Sequence, residues 1–264
     1  LPSPIADNPA PHDDSQSSRG AASFVPQESG AGRGRIARID WKRVARELDE
    51  RGYALIPAIL DAEQCAALVA LYGERARFRS RVVMERHRYG VGEYKYFSYP
   101  LPGVVTRIRT ALYRGLAPIA NSWDRRLAGA GGYPATLKEF LARCHAAGQT
   151  RPTPLLLRYQ SGGYNCLHQD LYGEIAFPFQ LTCMLSRPGR DFEGGQFLLM
   201  EQRPRAQSRG YAIALEQGCA IIFPNRFRPV AGVRGDSRVT LRHGVSTITR
   251  GERWTLGIIL HDAA

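Results

Sequence analysis

The stretch that decides how this chain folds is Leu155-Leu156-Leu157-Arg158-Tyr159-Gln160-Ser161-Gly162-Gly163-Tyr164-Asn165-Cys166-Leu167-His168-Gln169-Asp170. A short apolar run, Leu155–Tyr159, leads through a Ser-Gly-Gly turn to an imidazole and a carboxylate two positions apart, at His168 and Asp170. On extended backbone, residues i and i+2 project to the same face, so both side chains can reach the same metal ion. The string alone is weak, because a chain with six His and 11 Asp yields an H-x-D by chance roughly one time in four. Indeed His12-Asp13-Asp14 is another, in a stretch with no strand pattern beside it. Context singles out His168 and Asp170.

A partner lies downstream at His243, within Arg242-His243-Gly244-Val245-Ser246. A second imidazole from a distant strand completes a 2-His-1-carboxylate facial triad, the ligand set of non-haem Fe(II) oxygenases. That set leaves adjacent positions free for a chelating 2-oxo acid and for O2. Next comes Arg253, in Gly251-Glu252-Arg253-Trp254-Thr255. A guanidinium entering a largely apolar barrel needs an anionic partner. A dicarboxylate such as 2-oxoglutarate supplies one, and its planar carboxylate suits Arg better than Lys. Thr255, two positions on, points the same way in a strand and can add a hydroxyl donor. The plainer readings are a hydrogen-bonded core or surface histidine at His243 and a surface ion pair of Arg253, with Glu252 as its partner.

Outward from this stretch, the runs Phe179–Leu185, Gln196–Met200, Cys219–Phe223 and Trp254–Leu260 are punctuated by Gly, Pro and Asp clusters. Short apolar runs so spaced predict an all-β sandwich or barrel. Upstream the texture is helical. Asp40 caps a segment with Trp41, Val44, Ala45 and Leu48 on one face, which Gly52 ends; Tyr53–Pro57 reads as a short strand. Asp61 caps a second helix with Cys65, Leu68, Val69 and Tyr72 at helical spacing. Further helices are expected at Val104–Leu112, Leu116–Trp123 and Ala135–Ala147. Residues 1–38, rich in Pro, Ser, Ala, Gly and Asp, read as a flexible tail. The expected organisation is therefore a tail (1–38), a helical and basic extension (39–150) and a β core (151–264).

Composition sets the remaining bounds. Five widely spaced cysteines with no C-x-x-C pair argue against a disulfide framework and against a cysteine zinc site. No apolar run approaches the roughly 18–20 residues of a membrane span, and no signal-peptide pattern opens the chain; the expectation is a cytoplasmic protein with no membrane partner. The net charge of +12 is unevenly placed: residues 31–150 hold 21 Lys/Arg against 11 Asp/Glu, while residues 1–30 are net acidic. Within 75–114, ten cations (Arg75, Arg77, Arg79, Arg81, Arg86, Arg88, Lys95, Arg107, Arg109, Arg114) face only Glu85 and Glu93. Phe78, Tyr89, Tyr94, Tyr96, Phe97, Tyr99 and Tyr113 are interleaved with them. Guanidinium groups hold phosphates while aromatic rings stack on bases, so this segment points to nucleic acid. The alternative is a solvated Arg-rich face over core aromatics.

From Arg158 to the end, the chain resembles the Fe(II)/2-oxoglutarate-dependent oxygenases, whose pattern is H-x-D, a distal His, and an Arg or Lys about ten residues beyond. The resemblance implies a double-stranded β-helix, a cupin-like jelly roll, giving an α+β chain with an N-terminal helical extension. It implies Fe(II), 2-oxoglutarate and O2 as the cofactor set. Asp191-Phe192-Glu193-Gly194-Gly195-Gln196-Phe197 resembles a Gly-Gly turn of prolyl-hydroxylase-like members. Arg158-Tyr159-x-x-Gly162, ending on His168-x-Asp170, resembles the AlkB nucleic-acid demethylases, which implies that Tyr159 hydrogen-bonds the cosubstrate. The chain departs from AlkB at Leu157, where Asn is expected, and at Arg250 and Arg253, which stand three apart rather than six. A fuller resemblance, from about residue 40 onward, is to a bacterial oxygenase family suggested to act on damaged or methylated nucleic acid. It is carried by Asn165–Glu174, Glu201-Gln202-Arg203-Pro204-Arg205 and Arg242–Ser246.

The resemblance implies a dioxygenase that hydroxylates a C–H bond, with oxidative demethylation of nucleic acid as the foremost outcome. Two other readings stand beside it: a protein or amino-acid hydroxylase of the prolyl-hydroxylase type, and a non-catalytic cupin-like binding module. His261-Asp262 lacks the i, i+2 spacing, and His145 has no acidic or His partner at i+4, so both read as structural. Arg203, Arg205 and Arg209 read as flanking the entrance or as a solvated loop.

Overall fold

Two antiparallel sheets share a core in the computed structural model, and helices cover the outer face of the larger one. The structure describes residues 31–129, 132–170, 172–232 and 235–264. The helices are α1 (Ala31–Ala37), α2 (Trp41–Arg51), α3 (Ala62–Ala70), α4 (Gly103–Arg126) and α5 (Leu137–Ala146). Their ends follow the local chemistry. The Asp40 carboxylate accepts the Arg43 N–H at the start of α2, and Gly52 closes that helix at φ +79°. Asp61 and Gln64 form a reciprocal capping box on α3, as do Thr136 and Glu139 on α5.

The helices expected at 104–112 and 116–123 are the single helix α4. Gly115 looks like a break in sequence, but it serves packing: a Cβ there would stand 2.1 Å from the Trp41 ring. The glycine admits the indole of α2 against α4, and the helix runs on through Pro118 to Arg126. The N-terminal tail expected at 1–38 lies mostly outside the described residues, as does His12-Asp13-Asp14. Its last part is helix α1, where Ile36 packs on the core and Arg35 pairs with Asp61 at 3.1 Å.

The strands are β1 (Ala54–Ile56), β2 (Phe78–Val83), β3 (Gly90–Val91), β4 (Glu93–Phe97), β5 (Leu155–Gln160), β6 (Tyr164–His168), β7 (Phe179–Met184), β8 (Phe192–Gly194), β9 (Phe197–Gln202), β10 (Arg209–Ile213), β11 (Ala220–Pro224), β12 (Phe227–Gly232), β13 (Gly235–Val245) and β14 (Ile248–Ile259). The eight-stranded sheet runs β1-β11-β7-β14-β5-β4-β2, with β8 on β14; the six-stranded sheet runs β10-β9-β13-β6-β3, with β12 on β13. This is the expected jelly roll. The helical extension carries more strand than its sequence suggests, since β1 to β4 are hydrogen-bonded into both sheets.

Period-2 alternation sorts the strands of the large sheet between two cores. On one face Leu156, Leu181, Cys183, Ile222, Leu256 and Ile258 pack against the helices. On the other, Tyr159, Ile221 and Phe223 meet Phe197, Leu199 and Leu241 of the small sheet. Two buried ion pairs brace this layering. Arg228 on β12 holds Glu201 on β9 at 2.6 Å, and Arg109 on α4 holds Asp262 at 2.7 Å. Asp262 also accepts from the Tyr99 hydroxyl and meets His145 Nε2 at 2.8 Å, so the chain end is tied to α4 and α5. His145 thus has its acidic partner in space rather than at i+4.

Candidate metal and cosubstrate site

The turn after β5 carries the chain from the large sheet into the small one. Gly162 sits at φ +83°, and Gly163 N–H donates to the Gln160 carbonyl at 2.7 Å, so β6 starts almost at once beside β13. His168 closes β6 and is the direct cross-strand partner of His243 on β13. Their rings lie 4.2 Å apart between centroids. Asp170 stands just beyond the strand end, its two carboxylate oxygens 3.5 Å from His168 Nε2 and 3.1 Å from His243 Nε2. Ligand atoms from all three residues lie within 4.8 Å of one another, which makes the group able to hold a metal ion. The spacing read from sequence brings these residues together as expected.

The surroundings fix that geometry. His168 Nδ1 is 2.7 Å from the Cys166 carbonyl, which leaves Nε2 facing the carboxylate. His243 is buried between Phe197 and Phe223, from opposite sheets, at ring distances of 6.0 and 4.7 Å. Burial, then the neighbouring His168, pushes the His243 imidazole below its ordinary value. Burial alone would raise Asp170, but the two imidazoles hold its carboxyl well below the carboxylate range. An anionic carboxylate beside a neutral imidazole suits a divalent cation.

Arg253, on β14, is fully buried, and its Nε, Nη1 and Nη2 have no hydrogen-bond partner among the described residues. Its β5 cross-strand partner is Tyr159, whose ring centre lies 5.6 Å from the guanidinium carbon. Burial pulls the guanidinium down to about 10. Glu252, the expected alternative partner, instead takes Arg158 at 2.6 Å and the Trp254 indole N–H at 2.9 Å on the opposite face. Tyr159 and Thr255 are buried beside Arg253, and the Tyr159 hydroxyl accepts from Asn165 Nδ2 at 3.2 Å. An orphaned buried guanidinium costs several kcal/mol, which an anionic partner would offset.

Four contributors escaped the sequence reading. Tyr172 donates its hydroxyl to Asp170 Oδ1 at 2.8 Å, and Tyr96 donates in turn to Tyr172 at 3.0 Å. Asn165 orients Tyr159, and Gly195 leaves room for the Arg253 stem, since a Cβ there would lie 2.8 Å from Arg253 Cδ. Tyr172 continues the i, i+2 spacing of His168 and Asp170 and was legible on that ground. Tyr96, 76 positions away from its partner, was not.

The family model Oxygenase-NA, described as an oxygenase catalysing oxidative methylation of damaged DNA, matches residues 92–263. The chain belongs to this family. The uncharacterized protein Rv2227 of Mycobacterium tuberculosis is 49% identical over 191 residues, covering 70% of this chain and 82% of that protein. Among solved structures, a prolyl 4-hydroxylase from Phytophthora capsici superposes with a TM-score of 0.50 at 13% identity, covering 89% of this chain and 67% of that one. A 2OG-Fe(II) oxygenase-family protein from Burkholderia pseudomallei gives 0.48 at 18% identity, covering 86% of this chain and 94% of that one. At 13% identity the likeness to the Phytophthora structure speaks to the fold alone, which is the jelly roll. Family membership, together with the His-Asp-His group and the anion-seeking arginine, makes this chain an Fe(II)- and 2-oxoglutarate-dependent oxygenase using O2. No helix among the described residues is long and apolar enough to cross a membrane.

Proposed function

We propose that His168, Asp170 and His243 bind Fe(II), that Arg253 clamps the distal carboxylate of 2-oxoglutarate, and that the substrate is a methylated or otherwise damaged nucleic-acid base. The observation that carries the cosubstrate assignment is the guanidinium of Arg253, buried with all three nitrogens unpartnered. Tyr159 and Thr255 complete the clamp as hydroxyl donors, with Asn165 fixing the Tyr159 ring. Tyr172 holds Asp170 so that its other oxygen stays turned toward His243. Bound iron supplies O2 activation coupled to oxidative decarboxylation of 2-oxoglutarate, and so hydroxylation of a C–H bond.

Applied to an N-methyl group, the overall balance is N–CH3 + O2 + 2-oxoglutarate giving N–CH2OH + succinate + CO2. The carbinolamine then releases formaldehyde and leaves N–H. Oxygen insertion therefore removes a methyl group from a base, and demethylation is the direction proposed. The family description supports a DNA substrate, and so does the basic segment 75–114. That segment acts more through charge than through stacking. Tyr96, Phe97 and Tyr113 are buried in the core, and Tyr99 is its one exposed aromatic side chain. Arg109, bound to Asp262, belongs to the core as well.

The test is succinate release from labelled 2-oxoglutarate, with Fe(II) and ascorbate, against methylated oligonucleotides, peptides and free amino acids. Uncoupled turnover is expected without substrate, stimulation and formaldehyde release with the oligonucleotides, and no turnover for His168→Ala or His243→Ala. Stimulation by proline-containing peptides alone would assign the protein-hydroxylase activity instead. Full iron-dependent turnover in His168→Ala would refute the ligand set.

A further inference from the structure

At the free edge of the large sheet, strand β2 bounds a cavity of about 470 Å³ lined by Arg75, Phe78, Arg79, Ser80, Arg81 and Lys95. The lining holds four cationic side chains and no carboxylate. Their partners leave most of that charge unspent. Arg79 donates to the Pro152 carbonyl at 2.9 Å and Lys95 to the Tyr72 carbonyl at 2.8 Å, both neutral acceptors. Arg75 has no side-chain partner among the described residues, and only Arg81 is paired with an acid, Glu93. Like charges gathered in one concavity repel each other, and counter-anions relieve that repulsion.

The cavity is linked to the iron site. The Arg79 guanidinium lies over the Tyr96 ring at 4.5 Å; Tyr96 donates to Tyr172, and Tyr172 to Asp170. A polyanion seated along β2 would therefore pass beside the wall of the metal site. Five of the six lining residues precede residue 92, where the match to the family model begins. The cavity thus belongs to the part of the chain that the family description does not reach.

We infer that this cavity seats the sugar-phosphate backbone of a single-stranded nucleic acid whose target base enters the iron site. The inference rests on the nucleic-acid reading above. A single strand fits better than a duplex because the metal ligands lie between two sheets, where only an unstacked base can enter. Unpaired guanidinium and ammonium groups take phosphates in place of water and counterions.

The experiment measures binding of a fluorescein-labelled oligothymidylate to the full chain across a salt series, with Arg75→Glu and Lys95→Gln in the cavity and Arg46→Glu on exposed α2 as the matched control. The exposed Arg75 side chain makes no hydrogen bond or ion pair among the described residues, so its variant reports on binding rather than folding. Arg75→Glu should weaken binding about tenfold and flatten the log–log salt slope by about 0.7 per lost phosphate contact. Lys95→Gln should weaken it less, and Arg46→Glu should match the parent. Uncoupled succinate release should be unchanged in Arg46→Glu. Parent-like binding in both cavity variants, or equal losses in Arg75→Glu and Arg46→Glu, would overturn the cavity assignment while leaving the nucleic-acid reading in place. Absence of parent binding even at low salt would overturn both.

Discussion

Arg253 is a buried charge with no hydrogen-bond partner among the described residues, and that makes its energetics unusual. Most buried ions are costly to remove because a partner is stranded. Here nothing in the described protein is stranded, so Arg253→Met should leave the ligand-free chain as stable as the parent or more so. The same change should raise KM for 2-oxoglutarate by about 100-fold, equivalent to roughly 3 kcal/mol of lost charge-assisted hydrogen bonding. Thermal denaturation with and without 2-oxoglutarate checks both halves: the cosubstrate should raise Tm of the parent and not of Arg253→Met. A variant that melts far earlier without ligand would mean that Arg253 is structural. Gly195→Ala tests the same side chain by shape. Its Cβ would press on the Arg253 stem at 2.8 Å, at a backbone φ of +58°, so KM for 2-oxoglutarate should rise while Fe(II) affinity, followed by titration under nitrogen, stays near that of the parent.

Elements in this fold are joined by side-chain fits that override local propensity. Alanine is a better helix former than glycine by about 1 kcal/mol, yet Gly115→Ala on α4 should destabilise by about 2 kcal/mol, because its Cβ meets the Trp41 ring. Urea unfolding measures the loss, and a second change, Trp41→Leu, should recover most of it; equal losses in both backgrounds would rule out the clash. The same contact explains why α4 reads as two helices in sequence. A mid-helix glycine is a break signal unless a neighbouring ring occupies its face, and nothing near position 115 announces Trp41. Strands tell a similar story. Those of the large sheet, such as β11, are buried on both faces and stand out as apolar runs. Strand β13 alternates buried and wet positions through Arg, Ser and Thr, so its span is absent from the apolar runs read in sequence, although His243 was placed on a distant strand.

For the whole molecule, buried titratable groups away from the metal ligands set an acid limit on stability. His261 is fully buried, and burial, then the charge of Arg109, pushes its imidazole down to about 4. Its folded value lies below the unfolded one of 6.5. As pH falls between these values the unfolded chain gains a proton that the folded chain refuses, and stability drops. Glu201 adds a second step. Burial would raise its carboxyl, but Arg203 and Arg228 hold it below the ordinary 4.5, so its contribution is present above that pH and is lost as pH falls through the folded value. The urea midpoint should therefore decline from pH 6.5 toward pH 4. In His261→Asn, which keeps an acceptor for the Phe177 N–H, the decline over that interval should be shallower by a few kcal/mol at most. An identical pH profile in the two proteins would show that His261 titrates normally.

The sequence by itself determined the chemistry. His168, Asp170 and His243 were legible as a group because strand periodicity fixes which side chains share a face, and Arg253 because a guanidinium in an apolar strand calls for an anionic partner. An all-β sandwich or barrel followed from short apolar runs and the turn residues between them, and the jelly roll from the family resemblance. Tertiary structure alone decided what surrounds these groups. Tyr96 behind Tyr172, Asp262 beside His145, and the cation-lined cavity along β2 join positions tens to more than a hundred residues apart. Local pattern carries no record of such pairings, because they are selected by packing of the sheets and helices and not by the period of any one element.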